Sequence, residues 1–485
     1  MLKRNKISKT FLYRYRFQIG YVLLALTFFV IVFSLPFLSP AGIAKNEMES
    51  VVAANELSLN GVLYGNIINL PYRALQKLMV MVFGLNMYAI KLPSIIFASI
   101  LAIFLILLLN RWFKNNVALI SSALVVLSVP FLFMAGNGGP EVMFVLYPVI
   151  LLWLGSKIHK NPKPKAIWFV WFSLILALAT LTPQLGFFTA AIILYAMINP
   201  HIRFSFARMP IWAKILTLVN LGIIVAEVVV LWTMNRSGLW YLIFYQTQNI
   251  GEFFANIGDG ILLFFTWNSV RDSSLLSPLI GLPVFAVMVV GLIANMKKFF
   301  QSRLFLAFGM TLFTLLTTGF YEKNAILIVV PVAVLTAYGV EYIFRRWYGI
   351  FPENPYARLF ALIPITIFLS TTVSGNFLHY VYGYKYVPIV ANYFNNDLDL
   401  IKDKIASNTQ FLMEETSLEY KFFKILNKKY PKKIITNLSE VEGDKKIAIL
   451  KNHKKTIGSE LELIEIITSP KLIDSDRIYI YTVKN

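Results

Sequence analysis

In a chain dominated by apolar residues the few acids and bases carry the chemistry, because a charge beside or inside a membrane is costly unless it is used or paired. The first candidate is Asn46-Glu47, with Glu49 two residues on, in SPAGIAKNEMESVVAANEL. A carboxylate here can serve as general base on an acceptor hydroxyl, or hold a cation against a phosphate. A solvated charge run at a membrane surface accounts for the same letters. Glu141 follows in AGNGGPEVMFVL, where Pro140 suits a first helical turn and the helix dipole stabilises an acid. GNGGP has glycines for a phosphate loop but no following Lys-Ser/Thr and no preceding strand, so a nucleotide site is excluded. Glu227, in IIVAEVVVLW, must pair, protonate or line a wet cavity; Arg236 and Lys91 are its candidate partners. Arg271-Asp272 and Tyr321-Glu322-Lys323 add charges suited to gripping a phosphate, or to anchoring helix ends at an interface. The chain has no cysteine and four scattered histidines, His159, His201, His379 and His453. Disulfides and thiolate chemistry are excluded, and a multi-His metal site is not expected.

These residues are positioned by apolar segments. The 485 residues are 57% hydrophobic and only 14% charged, against about 25% charge in a soluble domain. Phe17–Leu38 is uncharged and follows a basic amino terminus; it is too long for a signal-peptide core and reads as a retained first helix. Ten further candidates lie near residues 88–109, 116–135, 141–156, 166–182, 184–199, 212–234, 276–296, 304–320, 324–344 and 358–378. The uncharged run from Ala166 to Pro200 is too long for one crossing and divides at Pro183-Gln184. The expected fold is a multi-span α-helical membrane protein of about eleven transmembrane helices.

The net charge of +20 first suggests nucleic acid, but its placement follows the positive-inside rule. With the amino terminus cytoplasmic, the inner loops hold Arg111, Lys114, Lys157, Lys160, Lys163, Lys165, Arg203, Arg208, Lys214, Lys297, Lys298, Arg303, Arg345, Arg346 and Arg358, against Glu341 and Glu353. The opposite loops are nearly balanced. The excess is therefore an orientation signal, and nucleic acid is excluded as a partner. Residues 1–387 form the transmembrane part, with outer loops at 39–87 and 235–275. Both loops contain aromatic-rich pieces, YRALQKLMVMVFG and LWYLIFYQ, that read as interfacial helices. Residues 388–485 are charge-rich and read as a small extracytoplasmic α/β domain suited to packing or acceptor binding. DLDLIKDKIA and SLEYKFFKILNKKY are its expected helices; TQFLMEE, KKIITN, KKIAIL, ELELIEII and RIYIYTV are its expected strands.

From Asn46 to Ser94 several features coincide in order, and there the chain resembles the GT-C class of polyprenyl-phosphate-sugar-dependent glycosyltransferases, in the protein-mannosyltransferase and aminoarabinose-transferase branch. Asn46-Glu47 stands at the family's Asp-Glu pair, Pro71 at its proline segment, and FGLNMYAIKLPSII is similar to the family's FG…A-R-LPS with Lys91 in the Arg position. Glu141 matches an acid opening the fourth helix. FYEKNAILIVVPVAVLTAYGVEYI is similar to a late segment where a basic and an aromatic residue precede P-x-x-x-L. The similarity spans roughly residues 15–345. It departs from the pattern at Asn46, in place of Asp, at Asn69, in place of a basic residue before paired prolines, and in LATLTPQLGFF, which lacks a lysine.

The resemblance implies displacement of a lipid phosphate from a sugar's anomeric carbon by an acceptor hydroxyl, on the outer face of the cell membrane. Glu47, with Glu141, would be base or acceptor-orienting group. Lys91, Arg271 and Lys323 would neutralise the leaving phosphate, and Asn46, Glu49 and Asn69 would contact substrate. The donor would be a polyprenyl-phosphate-linked sugar lying along the bundle among membrane lipids. The acceptor stays open between protein, lipid and cell-wall glycan. No cofactor is certain, a divalent cation being compatible with the acids. Two other readings stay open: a catalytically degenerate lipid-carrier or assembly protein on the same fold, motivated by Asn46, and a secondary transporter, motivated by Glu227.

Overall fold

Uncharged runs of Leu, Ile, Val and Phe have no water in hydrocarbon to meet their backbone N–H and C=O groups, so each adopts the helix, which satisfies them internally. A computed structural model describes residues 11–38, 42–159, 165–245, 249–265, 278–296, 302–350, 360, 362–383, 394–395, 401, 409–427, 434–436, 446–450, 461–468 and 477–483. Each of the eleven apolar stretches carries helix, from Phe11–Leu38, Met87–Trp112 and Glu141–His159 to Ile211–Met234, Ser302–Phe320, Val329–Ile350 and Leu362–Leu378. The chain is a multi-pass helical membrane protein.

Their lengths do not support eleven straight crossings. Among the described residues six helices are alone long and apolar enough to cross, or up to eight if each of two bent pairs is one span. The pairs are Asn115–Val126 with Val129–Gly136, bent by 60°, and Leu185–Ile198 with Pro200–Ala207, bent by 79°. Pro130 and Pro200 stand in the first turn after each bend, where a missing N–H costs nothing. Ala166–Thr180 has 15 residues and rises about 22 Å, short of a hydrocarbon core of about 30 Å.

Val129–Gly136 is buried along its whole length between Met87–Trp112 and its neighbours, whereas Ile211–Met234 is exposed along most of its length. The former is bundle core and the latter a lipid-facing helix. At one close crossing, Leu282–Asn295 meets Val329–Ile350 backbone to backbone. A Cβ on Gly339 would lie 1.9 Å from the Val287 carbonyl oxygen, and one on Gly291 2.5 Å from that of Leu335, the small-residue contact by which membrane helices approach.

At one end of the bundle lie Lys45–Asn55, Leu59–Leu63, Leu70–Phe83 and Arg236–Phe244. Leu70–Phe83 is amphipathic: Tyr72 and Gln76 are buried inward while Leu78, Met81, Val82 and Phe83 are exposed. Residues 250–265, expected as loop, form a further helix, Ile250–Phe265. Glu252 and Asp259 interrupt its apolar run, seven residues apart and so on one helical face.

Strand β1 (Ile43–Ala44) pairs antiparallel with β2 (Phe394–Asn395). The tail forms a five-stranded sheet from β3 (Gln410–Leu412), β4 (Ile434–Ile435), β5 (Ile447–Leu450), β6 (Leu461–Thr468) and β7 (Arg477–Val483), in the order β4-β3-β5-β7-β6. β3 runs parallel to β4 and β5, and the remaining pairs are antiparallel. These strands fall on the five segments read as strands, and helix Leu418–Asn427 falls on SLEYKFFKILNKKY. The helix read in DLDLIKDKIA lies outside the described residues except for Ile401. Phe411, Met413, Phe422, Phe423 and Leu450 share one apolar core with Ile43, Met48, Val51 and Val52. The tail thus holds the Lys45–Asn55 helix from behind.

Candidate active site

Glu47 is the third residue of Lys45–Asn55 and is 0% exposed. Its Oε2 accepts from the Ala44 N–H at 2.8 Å, closing the start of its own helix. Its Oε1 accepts from the Gly138 N–H at 2.5 Å and faces Lys91 Nζ at 3.1 Å. Lys91, also buried, reaches down from Met87–Trp112, with Nζ 5.4 Å from the Phe394 ring of β2. A buried charge pair holds a structure together only when its remaining hydrogen-bonding capacity is met, and here both carboxylate oxygens are engaged.

Gly138 is required at this joint, since a Cβ would lie 2.9 Å from the Ile90 carbonyl oxygen and 3.1 Å from Glu47 Oε1. The loop around it is gripped further: Gln76 Nε2 donates to the Gly138 carbonyl at 3.3 Å, and Ser94 Oγ to that of Gly139 at 3.1 Å. Ser50 Oγ donates to Gln76 Oε1 at 2.7 Å, and Tyr72 shares a 2.8 Å hydrogen bond with Ser94. The glycines of GNGGP therefore serve close packing, and the loop's rigidity fixes the residue that follows Pro140.

That residue is Glu141, the first of Glu141–His159, where the helix N-terminus favours negative charge. Asn46 Nδ2 donates to Glu141 Oε1 at 3.0 Å. Glu141 Oε2 is buried and has no hydrogen-bond partner. One oxygen oriented and the other unspent is an arrangement suited to accepting a proton or a substrate hydroxyl.

Beside it stands a row of tyrosines. The rings of Tyr241 and Tyr245 are 4.7 Å apart, and those of Tyr245 and Tyr321 4.2 Å; Tyr245 hydrogen-bonds with both phenols. Burial raises the Tyr241 and Tyr245 phenols above their usual range, and the Glu141 carboxylate adds to both. Tyr245 has φ 57° and ψ −123°, a left-handed position costly for a side chain as large as Tyr and found where surrounding contacts impose it. A cation stands at each end. Lys323 Nζ is 5.9 Å from the Tyr321 ring. Arg73 lies by Tyr241, its guanidinium lowered by burial while Tyr241 and Glu56 pull it back.

Backbone contacts hold these parts in register. The Asn69 N–H donates to the Leu181 carbonyl at 2.8 Å, the Gln184 N–H to that of Leu242 at 2.7 Å, and Asn235 Nδ2 to that of Gly65 at 3.1 Å. The break at Pro183-Gln184 thus bridges the first and second loops. Gln184, at φ 60°, accepts from Asn324 Nδ2 at 3.1 Å, which ties the break to YEKNA.

The expected residues fall into distinct places. Glu47 and Lys91 form the buried pair, and neither partners Glu227. Glu227 is bonded by Thr180 Oγ1 instead, and the other candidate partner, Arg236, donates to the Trp232 carbonyl at 3.3 Å. Asn46 and Glu141 meet directly. Glu49 is exposed, its charge reaching Tyr245. Asn69 is buried at φ 52°, its Oδ1 without a partner. Lys323 is half-buried. Arg271 and Asp272 lie outside the described residues. Among the described residues no group of three or more His, Asp or Glu side chains is arranged to hold a metal ion. Arg73, Tyr241 and Tyr245 were not singled out by sequence for chemistry, and Tyr321 stood only within Tyr321-Glu322-Lys323. The available signal was the i, i+4 spacing of Tyr241 and Tyr245, which places two rings on one helical face.

The dolichyl-phosphate-mannose-protein mannosyltransferase family matches residues 71–232. The fold is similar to that of ArnT from Cupriavidus metallidurans in the apo state, at 10% identity, 96% of this chain, 98% of that chain and a TM-score of 0.57. The same protein bound to undecaprenyl phosphate matches at 11% identity, covering 95% and 97% of the two chains, with a TM-score of 0.54. The Archaeoglobus fulgidus oligosaccharyltransferase tethered with an acceptor peptide containing the NVT sequon matches at 13% identity over 88% of this chain and 64% of that one, with a TM-score of 0.51. No curated protein sequence matches the chain. The GT-C resemblance read from the sequence therefore holds in a family match over part of the chain and in the fold of nearly all of it.

Proposed function

We propose that this protein is a membrane glycosyltransferase that moves a sugar from a polyprenyl-phosphate donor to an acceptor hydroxyl, at the membrane face carrying the Lys45–Asn55 helix. The loop charges favour that face as the outer one. The observation that carries the reading is Glu141 Oε2, buried and unpartnered beside the tyrosine row while Asn46 orients Oε1.

The acceptor hydroxyl binds at Oε2 and gives up its proton there as its oxygen bonds to the anomeric carbon. The bond from that carbon to the phosphate oxygen breaks, and its electron pair leaves with the lipid phosphate. Positive charge grows on the sugar ring in between, as in other glycosyl transfers, and the tyrosine faces and nearby carboxylates suit it. Glu47 acts at one remove: with Lys91 it clamps Gly138, and through the loop it places Glu141. The neighbour structures support a polyprenyl-linked donor and an acceptor, one being bound to undecaprenyl phosphate and another tethered to an acceptor peptide.

The degenerate-carrier reading rests on the missing Asp at Asn46. Asn46 here orients a carboxylate that keeps an open oxygen, an arrangement a pure carrier does not need. The test is turnover by the purified chain in liposomes offered a panel of undecaprenyl-phosphate sugars with lipid, peptide and glycan acceptors. Sugar transfer accompanied by equimolar release of undecaprenyl phosphate is expected with one donor, and no transfer with any combination would count against an enzyme.

A further inference from the structure

We infer that Arg73 receives the donor's phosphate, supplying the positive charge that Asn69 lacks. This rests on the glycosyltransferase reading above. Asn69 and Arg73 are four residues apart on one face at the start of Leu70–Phe83, where the Arg73 N–H donates to the Asn69 carbonyl at 3.0 Å. Asn69 is 9% exposed and its Oδ1 is unpartnered, so it can accept from a sugar hydroxyl but cannot balance a phosphate.

The neighbouring cations are spent elsewhere. Lys91 is paired with Glu47. Lys77, one turn beyond Arg73, donates to the carbonyl oxygens of Leu57 and Asn55. Lys323 stands at the far end of the tyrosine row. Arg73 keeps most of its donors: of the five N–H groups of a guanidinium, one bonds Asn66 Oδ1 at 2.7 Å. Among the described residues no carboxylate closes an ion pair with it. A fork of this kind takes two phosphate oxygens at once.

The chemistry also places a cation here. The donor's phosphodiester carries one negative charge, and the leaving phosphate monoester gains a second as the bond to the anomeric carbon breaks. A cation that receives this phosphate meets charge as it develops, and Arg73 would do so in a partly desolvated place where its attraction is stronger than in water.

Binding of undecaprenyl phosphate to the purified full chain in lipid nanodiscs tests this, with uncharged undecaprenol as control. A charge-assisted hydrogen-bond pair is worth about 1.5–3 kcal/mol, and about 1.4 kcal/mol is tenfold. Arg73→Gln should therefore weaken binding about ten- to hundredfold without changing undecaprenol uptake. Arg73→Lys should retain more affinity than Arg73→Gln, and Asn69→Lys added to Arg73→Gln should restore most of it. Undiminished binding by Arg73→Gln, with the wild type binding, would overturn the assignment and leave the glycosyltransferase reading standing. A wild type that prefers undecaprenol would overturn both. Where Arg73→Gln does not fold, the comparison of wild type with Arg73→Lys decides: equal affinity and equal salt dependence in the two would overturn the bidentate contact.

Discussion

Two acids lie either side of one glycine loop, and their surroundings are opposite. Glu47 meets two backbone N–H groups and a lysine, all inside a joint closed by the tail strand β2 and the Met87–Trp112 helix. Glu141 has one oxygen oriented by Asn46 and one without a partner, and its charge reaches Tyr241 and Tyr245. A group whose bonds are complete resists change and holds position; a buried group left with unused capacity is available to a substrate. In the proposed function that difference makes one a positioning acid and the other the reacting one, although both are glutamates next to the same loop.

That contrast can be broken first at the joint. Glu47→Gln leaves Lys91 buried without a counter-charge and should cost about 3–5 kcal/mol of stability, read as a lowered melting temperature and reduced yield of folded protein in detergent. Adding Lys91→Met to Glu47→Gln should recover most of that loss, because the uncompensated charge goes with it; a double variant no better than the single would show that the ion pair is not the source. On the other side of the loop, Asn46→Ala should leave folding intact and reduce transfer about tenfold, on the order of 1.4 kcal/mol of barrier, by freeing Glu141 to turn. Asn46→Asp would place a second carboxylate about 3 Å away, where two like charges share a proton. The acid limb of its pH–rate profile should then shift to higher pH, and an unshifted limb would separate Asn46 from the reacting group. Tyr245→Phe keeps the ring and loses the phenol bonds, so its effect on transfer should be the smallest, about two- to fivefold, within the usual value of about 1 kcal/mol for one hydrogen bond.

Much of the architecture was legible in the letters. The apolar stretches became helices, the break at Pro183-Gln184 separates two helices at a positive φ, and the alternating segments of the tail became strands β3 to β7. The number of crossings was less legible, since composition records apolar length but not bending at Pro130 or Pro200. The site was read in part. Glu141 was marked, with its helix-capping role sufficient to explain it, and Asn46 stood in view as a missing acid and a substrate contact, not as a partner of Glu141. Glu47 was read as a base from its type, and its partners were not legible. Gly138 and Lys91, which engage it, lie 91 and 44 positions further along. Arg73 was passed over because an arginine near the start of an interfacial helix is ordinary, and only the fold sets Tyr241 beside it.

The central claim is that Glu141 meets the reacting acceptor while Glu47 only holds the loop. Its most direct test is sugar transfer from a polyprenyl-phosphate donor by Glu141→Gln in liposomes, at folded amounts matched to the wild type by melting curves. Loss of a general base costs about 10²–10⁴-fold, so transfer should fall by at least about a hundredfold with the melting temperature unchanged. Transfer within twofold of the wild type would contradict it.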